Sequence, residues 1–284
     1  MKVYYDCYPC FLRQSIEAAR HAGATDPQTK AVLQSVLQTI MGLDERATPP
    51  EIAAVIHRTV RQTLKIEDPY EKEKEKSTEE ALAIYPDLKK LAGDGSDIGT
   101  LLRIAIAGNI IDAGVGGRHG DLWKTVERVL ALPFAIDDRE TLIREMGRHE
   151  RILYLADNAG ETVFDRVFIE TIDNAVTYVV KGHPVLNDAT VKDALAAGLD
   201  RCATIVDNGS DAPGTVLDSC SQEFRKIFES SDLILAKGQA NYESLSQAGE
   251  NVFCLLQVKC PVIARDIGAP VGSIVVRQSL PAPE

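Results

Sequence analysis

Long apolar runs are missing from this sequence of 284 residues. The longest covers residues 129–136, whereas a membrane-spanning helix needs roughly 20 consecutive apolar residues. The first residues also contain no apolar stretch of the length found in a secretion signal. Six cysteines are too few for a disulfide scaffold in a chain of this length. These absences predict a protein of the reducing cytoplasm that has no membrane partner.

Positive charge is scarce as well. The chain carries 31 lysines and arginines against 42 aspartates and glutamates, which gives a formal net charge of -11. An acidic chain repels nucleic acids, so we expect no nucleic-acid partner. If the protein binds a phosphate group, a local positive charge must offset this field, and a bound divalent cation is the simplest source. With 45% hydrophobic residues, the composition is otherwise that of a globular protein.

The apolar pattern changes character near residue 150. Before this point, apolar residues recur every three or four positions, which predicts helices and no strand. After it, short apolar segments alternate with helical ones, which is typical of a mainly parallel sheet covered by helices. We therefore predict an α/β protein, with a helical region over residues 1–148 and a Rossmann-like α/β/α core over residues 149–284. The charged run over residues 71–80 is interpreted as a solvated helix face.

Polar residues follow the first predicted strand, at the end where an open parallel sheet binds its ligands. Asp157 and Asn158 come directly after this strand, and Glu161 begins the next helix. Any one of these residues is also a good helix cap or turn former. A cap alone does not need two oxygen-bearing side chains and a trailing glutamate, so we predict a ligand site at this turn.

The loop after the second predicted strand carries Asp188, which is either a cap of the following helix or a second part of the same site. Neighbouring parallel strands lie about 5 Å apart, so the two loops can converge on one ion. Asp157, Asn158 and Asp188 together offer hard oxygen ligands. That chemistry favours Mg²⁺ or Mn²⁺ over a structural zinc ion.

Other segments carry groups that suit a phosphate ligand. Residues 207–215 form a glycine-containing turn whose backbone amides are able to cradle an anion, although an ordinary turn explains the same residues. Lys237 follows the next strand and is either a partner for a phosphate oxygen or a surface lysine. In the helical half, Asn109 and Asp112 share one helix face within an apolar segment, so they either satisfy each other or face the cleft.

The ordered set of these motifs resembles the damage-control phosphatase family, which is catalogued as domain of unknown function 89. The resemblance covers nearly the whole chain, and its Cys-x-x-Cys start is similar to the stand-alone prokaryotic branch. It rests on residues 6–10, 68–70, 108–112, 157–161, 208–215 and 237–243. It implies a helical amino-terminal region, a Rossmann-like core, and a metal-dependent phosphatase of small phosphate esters such as sugar phosphates, nucleotides or damaged phosphometabolites.

The resemblance also implies roles for individual residues. Asp157, Asn158 and Asp188 match the family's ligands for a divalent cation (Mn, Mg, Co or Ni), and Lys237 matches its lysine for the substrate phosphate. In the resulting hypothesis, Glu161 or Asp112 orients the attacking water or a group that holds the cation. The residues expected to contact the small phosphorylated substrate are Asn109, Ser210, Asp211, Gly238 and Asn241.

Cys7 and Cys10 leave several interpretations open. A Cys-x-x-Cys pair is half of a zinc site, a redox pair or a structural feature. No second such pair occurs in the sequence, and this pair does not follow a predicted strand as a thioredoxin-type motif does. The sequence favours a structural role over a zinc site or a redox pair without deciding among them, and it carries no signal for an oligomeric state.

Three other functions compete with the metal-dependent phosphatase. A phosphatase with an aspartyl nucleophile, of the haloacid dehalogenase type, requires Asp-x-Asp after the first strand, and this chain has Asp-Asn. An S-adenosylmethionine-dependent carboxyl methyltransferase is expected to have a glycine-rich loop there, but residues 114–117 follow a helix instead. A non-catalytic protein that binds a metal or a nucleotide predicts ligand stabilisation without turnover.

Overall fold

The computed structural model describes residues 1–42, 47–93, 97–111 and 119–281. The first half of this described chain consists of α1 (Cys7–His21), α2 (Asp26–Met41), α3 (Pro49–Leu64), α4 (Glu71–Leu91), α5 (Ile98–Ile111), α6 (His119–Leu130), β1 (Phe134–Asp137) and α7 (Arg139–Arg148). In the second half, strands and helices alternate: β2 (Arg151–Leu155), α8 (Thr162–Ile169), β3 (Ala175–Val180), α9 (Val191–Ala196), β4 (Thr204–Asp207), α10 (Gln222–Glu229), β5 (Ile234–Lys237), α11 (Gly238–Leu245), β6 (Val252–Gln257), α12 (Pro261–Ile267) and β7 (Ile274–Gln278).

The strands form a sheet with the order β1-β7-β6-β5-β2-β3-β4. Strands β2 to β6 are parallel, whereas β7 runs antiparallel to β6 and pairs in parallel with β1. The predicted α/β fold with a mainly parallel sheet is therefore confirmed. The chain runs outward from β2 through β3 to β4, then returns to β5 on the other side of β2. Ligands of open α/β sheets bind at such a reversal of strand order.

The prediction that no strand precedes residue 150 is wrong at β1. This strand has only four residues, and its side chains alternate between half-buried and exposed positions. It lies at the edge of the sheet, and within the described ranges β7 is the strand that pairs with it. Because the segment is short and lacks the continuous burial of a central strand, its apolar pattern is too weak to separate it from the preceding helix.

Helix α3 illustrates how local sequence sets the position of an element near the later site. Pro49 and Pro50 occupy its first turn, where a missing N–H costs no hydrogen bond. Glu51 accepts hydrogen bonds from the backbone N–H of Thr48 at 2.6 Å and from its hydroxyl at 2.7 Å. This pairing fixes the start of α3, so both prolines, which are buried, lie at a defined place in the helical region.

Hydrophobic packing forms three clusters. The largest joins α4, α5, α6 and α8 to one face of the sheet, so Leu102 and Phe253 belong to the same cluster. A second cluster covers the other face beneath α10, α11 and α12. The third lies within α1, α2 and α3 and includes Phe11 and Ile56. The first cluster therefore crosses the predicted boundary between residues 148 and 149, and helices α1–α3 enclose a core of their own.

Helix α4 contains the charged run over residues 71–80, in which Lys74 and Thr78 are buried rather than solvated. Lys74 is 3% exposed. Its Nζ lies 2.7 Å from Asp68 Oδ2 and 3.0 Å from Asp193 Oδ2. This buried ion pair joins α4 to the cap of α9 and so links the helical region to the sheet. None of the described helices combines the length and the apolar character that crossing a membrane requires.

Candidate functional site

Two loops meet at the carboxyl ends of β2 and β3, beside the reversal of strand order. The backbone N–H of Ala189 donates to the carbonyl oxygen of Asp157 at 2.8 Å, and Asn158 and Asp188 form an isolated antiparallel bridge. The structure thus brings Asp157, Asn158 and Asp188 together, and we call these three residues the front cluster. Thr190, rather than Asp188, caps helix α9.

Side-chain hydrogen bonds orient the front cluster. Asp157 Oδ2 accepts from Asn109 Nδ2 at 2.8 Å and from Asn158 Nδ2 at 3.2 Å. Asn158 Nδ2 also donates to Glu161 Oε1 at 2.6 Å. The nitrogen of the Asn158 side-chain amide therefore donates both of these hydrogen bonds. Among the described residues, no hydrogen bond reaches Oδ1 of Asp157 or Oδ1 of Asn158.

Asp188 adds a third oxygen without a hydrogen-bond partner. Its Oδ2 is buried and, in the described part of the chain, makes no hydrogen bond; Lys181 Nζ lies 3.5 Å away as an ion-pair partner. Carboxylate and amide oxygens are the ligands that hard divalent cations prefer. The residues present therefore fit such a cation with two carboxylates and one amide. Within the described ranges, no group of three or more His, Cys, Asp or Glu side chains is arranged to hold a metal.

Buried negative charge dominates the electrostatics of the front cluster. Burial raises the pKa of Asp157 well above its usual value, and the charges of Glu161 and Asp188 raise it further. Burial also raises the pKa of Asp188 to about 6, although the nearby Lys181 opposes the shift. Carboxylates that repel one another in a buried site are stabilised by a positive charge placed between them. Bound Mg²⁺ or Mn²⁺ provides such a charge.

A second group of buried polar side chains lies behind the front cluster. Lys237 is fully buried and donates to Asp165 Oδ1 at 2.7 Å, to Glu161 Oε2 at 3.0 Å and to the carbonyl oxygen of Ala105 at 2.8 Å. The hydroxyls of Tyr154 and Tyr178 each donate to Asp165 at 2.7 Å. We call Lys237, Glu161, Asp165, Tyr154 and Tyr178 the rear cluster. Lys237 is therefore not a surface lysine, and three protein acceptors engage its ammonium group.

Glu161 and Asn109 connect the two clusters. Glu161 Oε1 accepts from Asn109 Nδ2 at 2.6 Å, in addition to its bond from Asn158. Asn109 is fully buried and faces the site. Its Oδ1 makes no hydrogen bond in the described part of the chain. Glu161 is fully buried as well, so it faces the neighbouring side chains rather than solvent. Asp112, the other predicted residue of this segment, lies outside the described residues.

The sequence pattern did not single out Asp165, although a signal for it existed. Asp165 interrupts the apolar helix α8, between Val163, Phe164, Val167 and Phe168, all of which are buried. A carboxylate inside such a segment needs buried partners. The same reasoning had identified Asn109. The partners Tyr154 and Tyr178 gave no signal, because tyrosines are common in strands for packing alone.

Gly238 and Asn241, at the start of α11, lie against the end of β2 beside Asp157. Gly238 has φ +80°, and a Cβ atom there would overlap the carboxylate of Asp157. Asn241 is buried, and its Nδ2 donates to the carbonyl oxygens of Ala156 at 3.1 Å and Lys237 at 2.8 Å. Gly238 therefore allows close approach to Asp157, and Asn241 ties the ends of β2 and β5 together.

The loop after β4 forms an ordinary turn in this structure. The backbone N–H groups of Ser210 and Ala212 donate to side-chain oxygens within the loop, at 2.9 and 3.1 Å. Asp211 accepts from Arg58 Nη2 and Arg61 Nη2 of α3, each at 2.6 Å. These amides and this carboxylate already have partners, and neither Ser210 nor Asp211 borders the cleft that contains the front cluster.

A cleft of about 440 Å³ opens above the front cluster. Helices α1 and α3 form one wall through residues such as Phe11 and Pro49, and the loops of the sheet form the other. Lys259, on the loop after β6, is exposed in this cleft, and its charge lowers the pKa of Asp157. The sequence pattern had not selected Lys259, although it follows a parallel strand as Lys237 does.

Known proteins resemble this chain over nearly its full length. A family model described as the Damage-control phosphatase ARMT1-like domain matches residues 3–275. The damage-control phosphatase PH1575 of Pyrococcus horikoshii is 35% identical over 281 residues, which cover 97% of both chains. A damage-control phosphatase of Archaeoglobus fulgidus is 35% identical, with 98% of this chain and 99% of the relative covered. A crystal structure of a DUF89 family protein from Pyrococcus horikoshii matches with a TM-score of 0.91 at 33% identity, covering 98% of this chain and 99% of that one. The chain belongs to the damage-control phosphatase family.

In this member of the damage-control phosphatase family, a third cysteine lies near the Cys-x-x-Cys pair. Cys7, Cys10 and Cys260 all border the cleft, and all three are unpaired thiols. Burial raises the pKa of Cys7 and of Cys10 above the usual value, and the negative charge of Glu243 adds to both shifts. Thiols with raised pKa values are poor nucleophiles. The sequence could not pair Cys260 with the amino terminus, because some 250 residues separate them in the chain.

Proposed function

We propose that this protein is a divalent-cation-dependent phosphomonoester hydrolase that acts on small phosphate esters. Membership of the damage-control phosphatase family supports hydrolysis of phosphate esters as the reaction class. The chemistry of the front cluster supports dependence on a divalent cation. The cleft volume of about 440 Å³ suits a small metabolite and lies within the usual range of ligand pockets.

One observation carries the proposal. Asp188 Oδ2 is a buried oxygen without a hydrogen-bond partner among the described residues. The neighbouring Asp157 and Asn158 border the cleft, and each carries an oxygen that accepts no hydrogen bond from those residues. Buried polar atoms without partners are rare in folded proteins and call for a physical reason. A bound Mn²⁺, Mg²⁺, Co²⁺ or Ni²⁺ at these oxygens is the reason that also fits the family.

The chain's own residues would divide the chemistry as follows. A divalent cation, when bound there, withdraws negative charge from the phosphoryl group and makes nearby water more acidic. Lys259, which is exposed in the cleft, would bind a phosphoryl oxygen and so counter the overall negative charge of the chain. Lys237 and Glu161 would support the cation-binding residues rather than contact the substrate, because both are fully buried and hydrogen-bonded to other protein groups. Asp157 and Asp188 would hold the cation.

Hydrolysis of p-nitrophenyl phosphate and of a panel of sugar phosphates and nucleotides tests the proposal. Activity is measured with Mn²⁺, Mg²⁺, Co²⁺ or Ni²⁺, and again after chelation. We expect chelation to abolish activity and Asp157→Asn to lower it at least about 100-fold. Asp173→Asn is the matched control, because Asp173 is exposed near the amino ends of β2 and β3, beside Ala175 and Glu150, away from the cleft.

The same measurements separate the competing functions. Cation binding by calorimetry without turnover on any ester would identify a non-catalytic binding protein instead. Binding of S-adenosylmethionine, with no hydrolysis, would support the methyltransferase. Full activity in Asp157→Asn would contradict the assignment of the site.

A further inference from the structure

The rear cluster is a nearly complete hydrogen-bond network in the largest hydrophobic cluster. Asp165 accepts from both tyrosine hydroxyls and from Lys237, all at 2.7 Å. Tyr154, Tyr178, Asp165, Glu161 and Lys237 are each fully buried. Replacing buried ion pairs by apolar residues of similar volume is often neutral or stabilising. Stability alone therefore gives a weak reason for this network to exist behind the front cluster.

The network is anchored on the same strands that carry the front cluster. Tyr154 on β2 and Tyr178 on β3 are directly paired in the parallel register, and their rings stack with centroids 5.4 Å apart. Asp157 follows Tyr154 by three residues, and the loop with Asp188 follows β3. Both hydroxyls converge on Asp165 of α8, so the position of this carboxylate is fixed relative to both strand ends.

The carboxylate of Asp165 fixes the position of the Lys237 ammonium group, and Lys237 in turn donates hydrogen bonds to two further groups. Its second bond reaches Glu161 Oε2 at 3.0 Å, so Oε1 of the same carboxylate faces the amides of Asn109 and Asn158. Its third bond reaches the carbonyl oxygen of Ala105, one helical turn before Asn109 on α5. Lys237 therefore fixes Glu161 directly and supports the turn of α5 that carries Asn109.

The orientation of the two amides decides which oxygens of the front cluster stay available. Asn158 Nδ2 points to Glu161, which turns Oδ1, at the other end of the same planar amide group, away from Glu161. Asn109 Nδ2 donates to Asp157 Oδ2 at 2.8 Å, which leaves Asp157 Oδ1 as the oxygen without a partner. If Glu161 turned away, both amides would lose a strong acceptor, and rotation of Asn158 would present its nitrogen to the cation.

We propose that Asp165, held by Tyr154 and Tyr178, is a positioning residue that acts through Lys237 and Glu161 to keep the oxygens of Asp157 and Asn158 turned toward a divalent cation. The proposal rests on the cation site of the proposed function, and it concerns cation affinity rather than the reaction. Hydrogen-bonding partners behind metal ligands commonly change metal affinity or activity by about 10- to 100-fold when they are removed.

Calorimetric titration of the folded, metal-free protein with Mn²⁺ tests this role. The variants are Asp165→Asn, Tyr178→Phe and Tyr154→Phe. Tyr242→Phe is the matched control: Tyr242 is also buried and donates to a carboxylate, Asp266, at 2.8 Å, but that aspartate makes no described contact with either cluster. Thermal melting of every metal-free variant measures the structural effect separately.

We expect Asp165→Asn to raise the Kd for Mn²⁺ about 10- to 100-fold and each rear-cluster Tyr→Phe change to raise it about 3- to 10-fold. Tyr242→Phe should lower the melting temperature comparably to Tyr178→Phe and leave the Kd unchanged. If Asp165→Asn does not fold, the two tyrosine variants still decide the matter. An unchanged Kd in both tyrosine variants, whatever their melting temperatures, would overturn the proposal. A shift of Kd in Tyr242→Phe as large as in Tyr178→Phe would overturn it too. Wild-type protein that binds Mn²⁺ but hydrolyses no ester would refute the proposed function and leave this inference standing.

Discussion

The front and rear clusters lie side by side, but they differ in how many of their polar atoms have hydrogen-bond partners within the protein. In the rear cluster, all three hydrogen bonds available to Lys237 and both oxygens of Asp165 are engaged by protein atoms. In the front cluster, oxygens of Asp157, Asn158 and Asp188 have no hydrogen-bond partner among the described residues. Both clusters are buried, so burial alone does not separate a binding site from a structural network.

The difference predicts opposite consequences of mutation. Removing a charge from a satisfied cluster leaves its partners buried and unpaired, which destabilises the fold. Removing a charge from a cluster of like charges relieves repulsion and leaves the fold intact, but it removes a ligand. Front-cluster variants should therefore lose activity with little change in stability, whereas rear-cluster variants should lose stability as well as cation affinity.

The largest effect is expected for Asp188→Asn in the front cluster. A cation contributes several kcal/mol to the transition state, which corresponds to about a 1000-fold fall in kcat/KM when its binding is lost. The melting temperature of the metal-free protein should change little, because Asp157 loses a negative neighbour while the buried Lys181 loses its ion-pair partner. Enzyme assays and thermal melting on the same preparation check both outcomes. A large fall in melting temperature would mean that Asp188 belongs functionally with the rear cluster.

A large loss of stability is expected for Lys237→Met in the rear cluster. This change leaves Glu161 and Asp165 buried without their cation, which costs about 3–5 kcal/mol of the free energy of unfolding. Lys89→Met is the control, because Lys89 pairs with Glu170 at 2.9 Å but is 37% exposed. Exposed pairs contribute below about 1 kcal/mol. Denaturant titration of the metal-free proteins measures both values, and equal losses in the two variants would contradict the distinction.

Addition of a cation should give the oxygens of the front cluster a partner, as the protein itself does in the rear cluster, and should thereby stabilise the fold. At a free Mn²⁺ concentration of 100 times Kd, binding to the folded chain alone adds about 2.7 kcal/mol to the free energy of unfolding. Melting with and without a chelator measures this gain. Asp188→Asn should show little of it, whereas Lys89→Met should show all of it. Equal stabilisation of wild type and Asp188→Asn would indicate that the cation binds elsewhere.

The sequence predicted the front cluster better than the rear cluster, and the reason is physical. Ligand groups at the ends of parallel strands follow a positional rule, so Asp157 and Asp188 were identifiable from their place after each strand. The network around Lys237 depends on which side chains meet across the sheet, α5 and α8, which no local pattern encodes. The role of Lys237 changed for this reason, from a cation facing the cleft to one engaged by three buried acceptors.

The same contrast between local sequence pattern and long-range packing applies to the fold. The alternation of strands and helices after residue 150 was predicted, whereas the edge strand β1 was absent from the prediction because it is short and only half-buried. Lys259 and Cys260 reach the cleft from the far end of the chain. Their positions depend on how β6 packs between β5 and β7, and the sequence alone does not supply that order.

His57 is a buried ionisable residue that lies outside both clusters. His57 lies on α3, 2% exposed, and its Nε2 has no hydrogen-bond partner in the described part of the chain. Burial lowers its pKa to about 4, and the charge of Arg61 adds to the shift. Unlike the carboxylates of the front cluster, His57 is neutral at pH 7.

This neutrality makes stability depend on pH in one direction. The unfolded chain protonates His57 near pH 6.5, whereas the folded chain resists protonation until about pH 4. Between these values the unfolded state binds more protons, so stability falls as the pH drops from 6.5 toward 4. From pH 7 to pH 5 the loss attributable to His57 is about 2 kcal/mol. Denaturant titration at both pH values should show a loss smaller by this amount in His57→Leu, measured with a chelator present so that cation release from the front cluster does not contribute. An equal pH dependence in wild type and variant would mean that the unfolding transition does not report the burial of His57, and would place the pH sensitivity in the carboxylates instead.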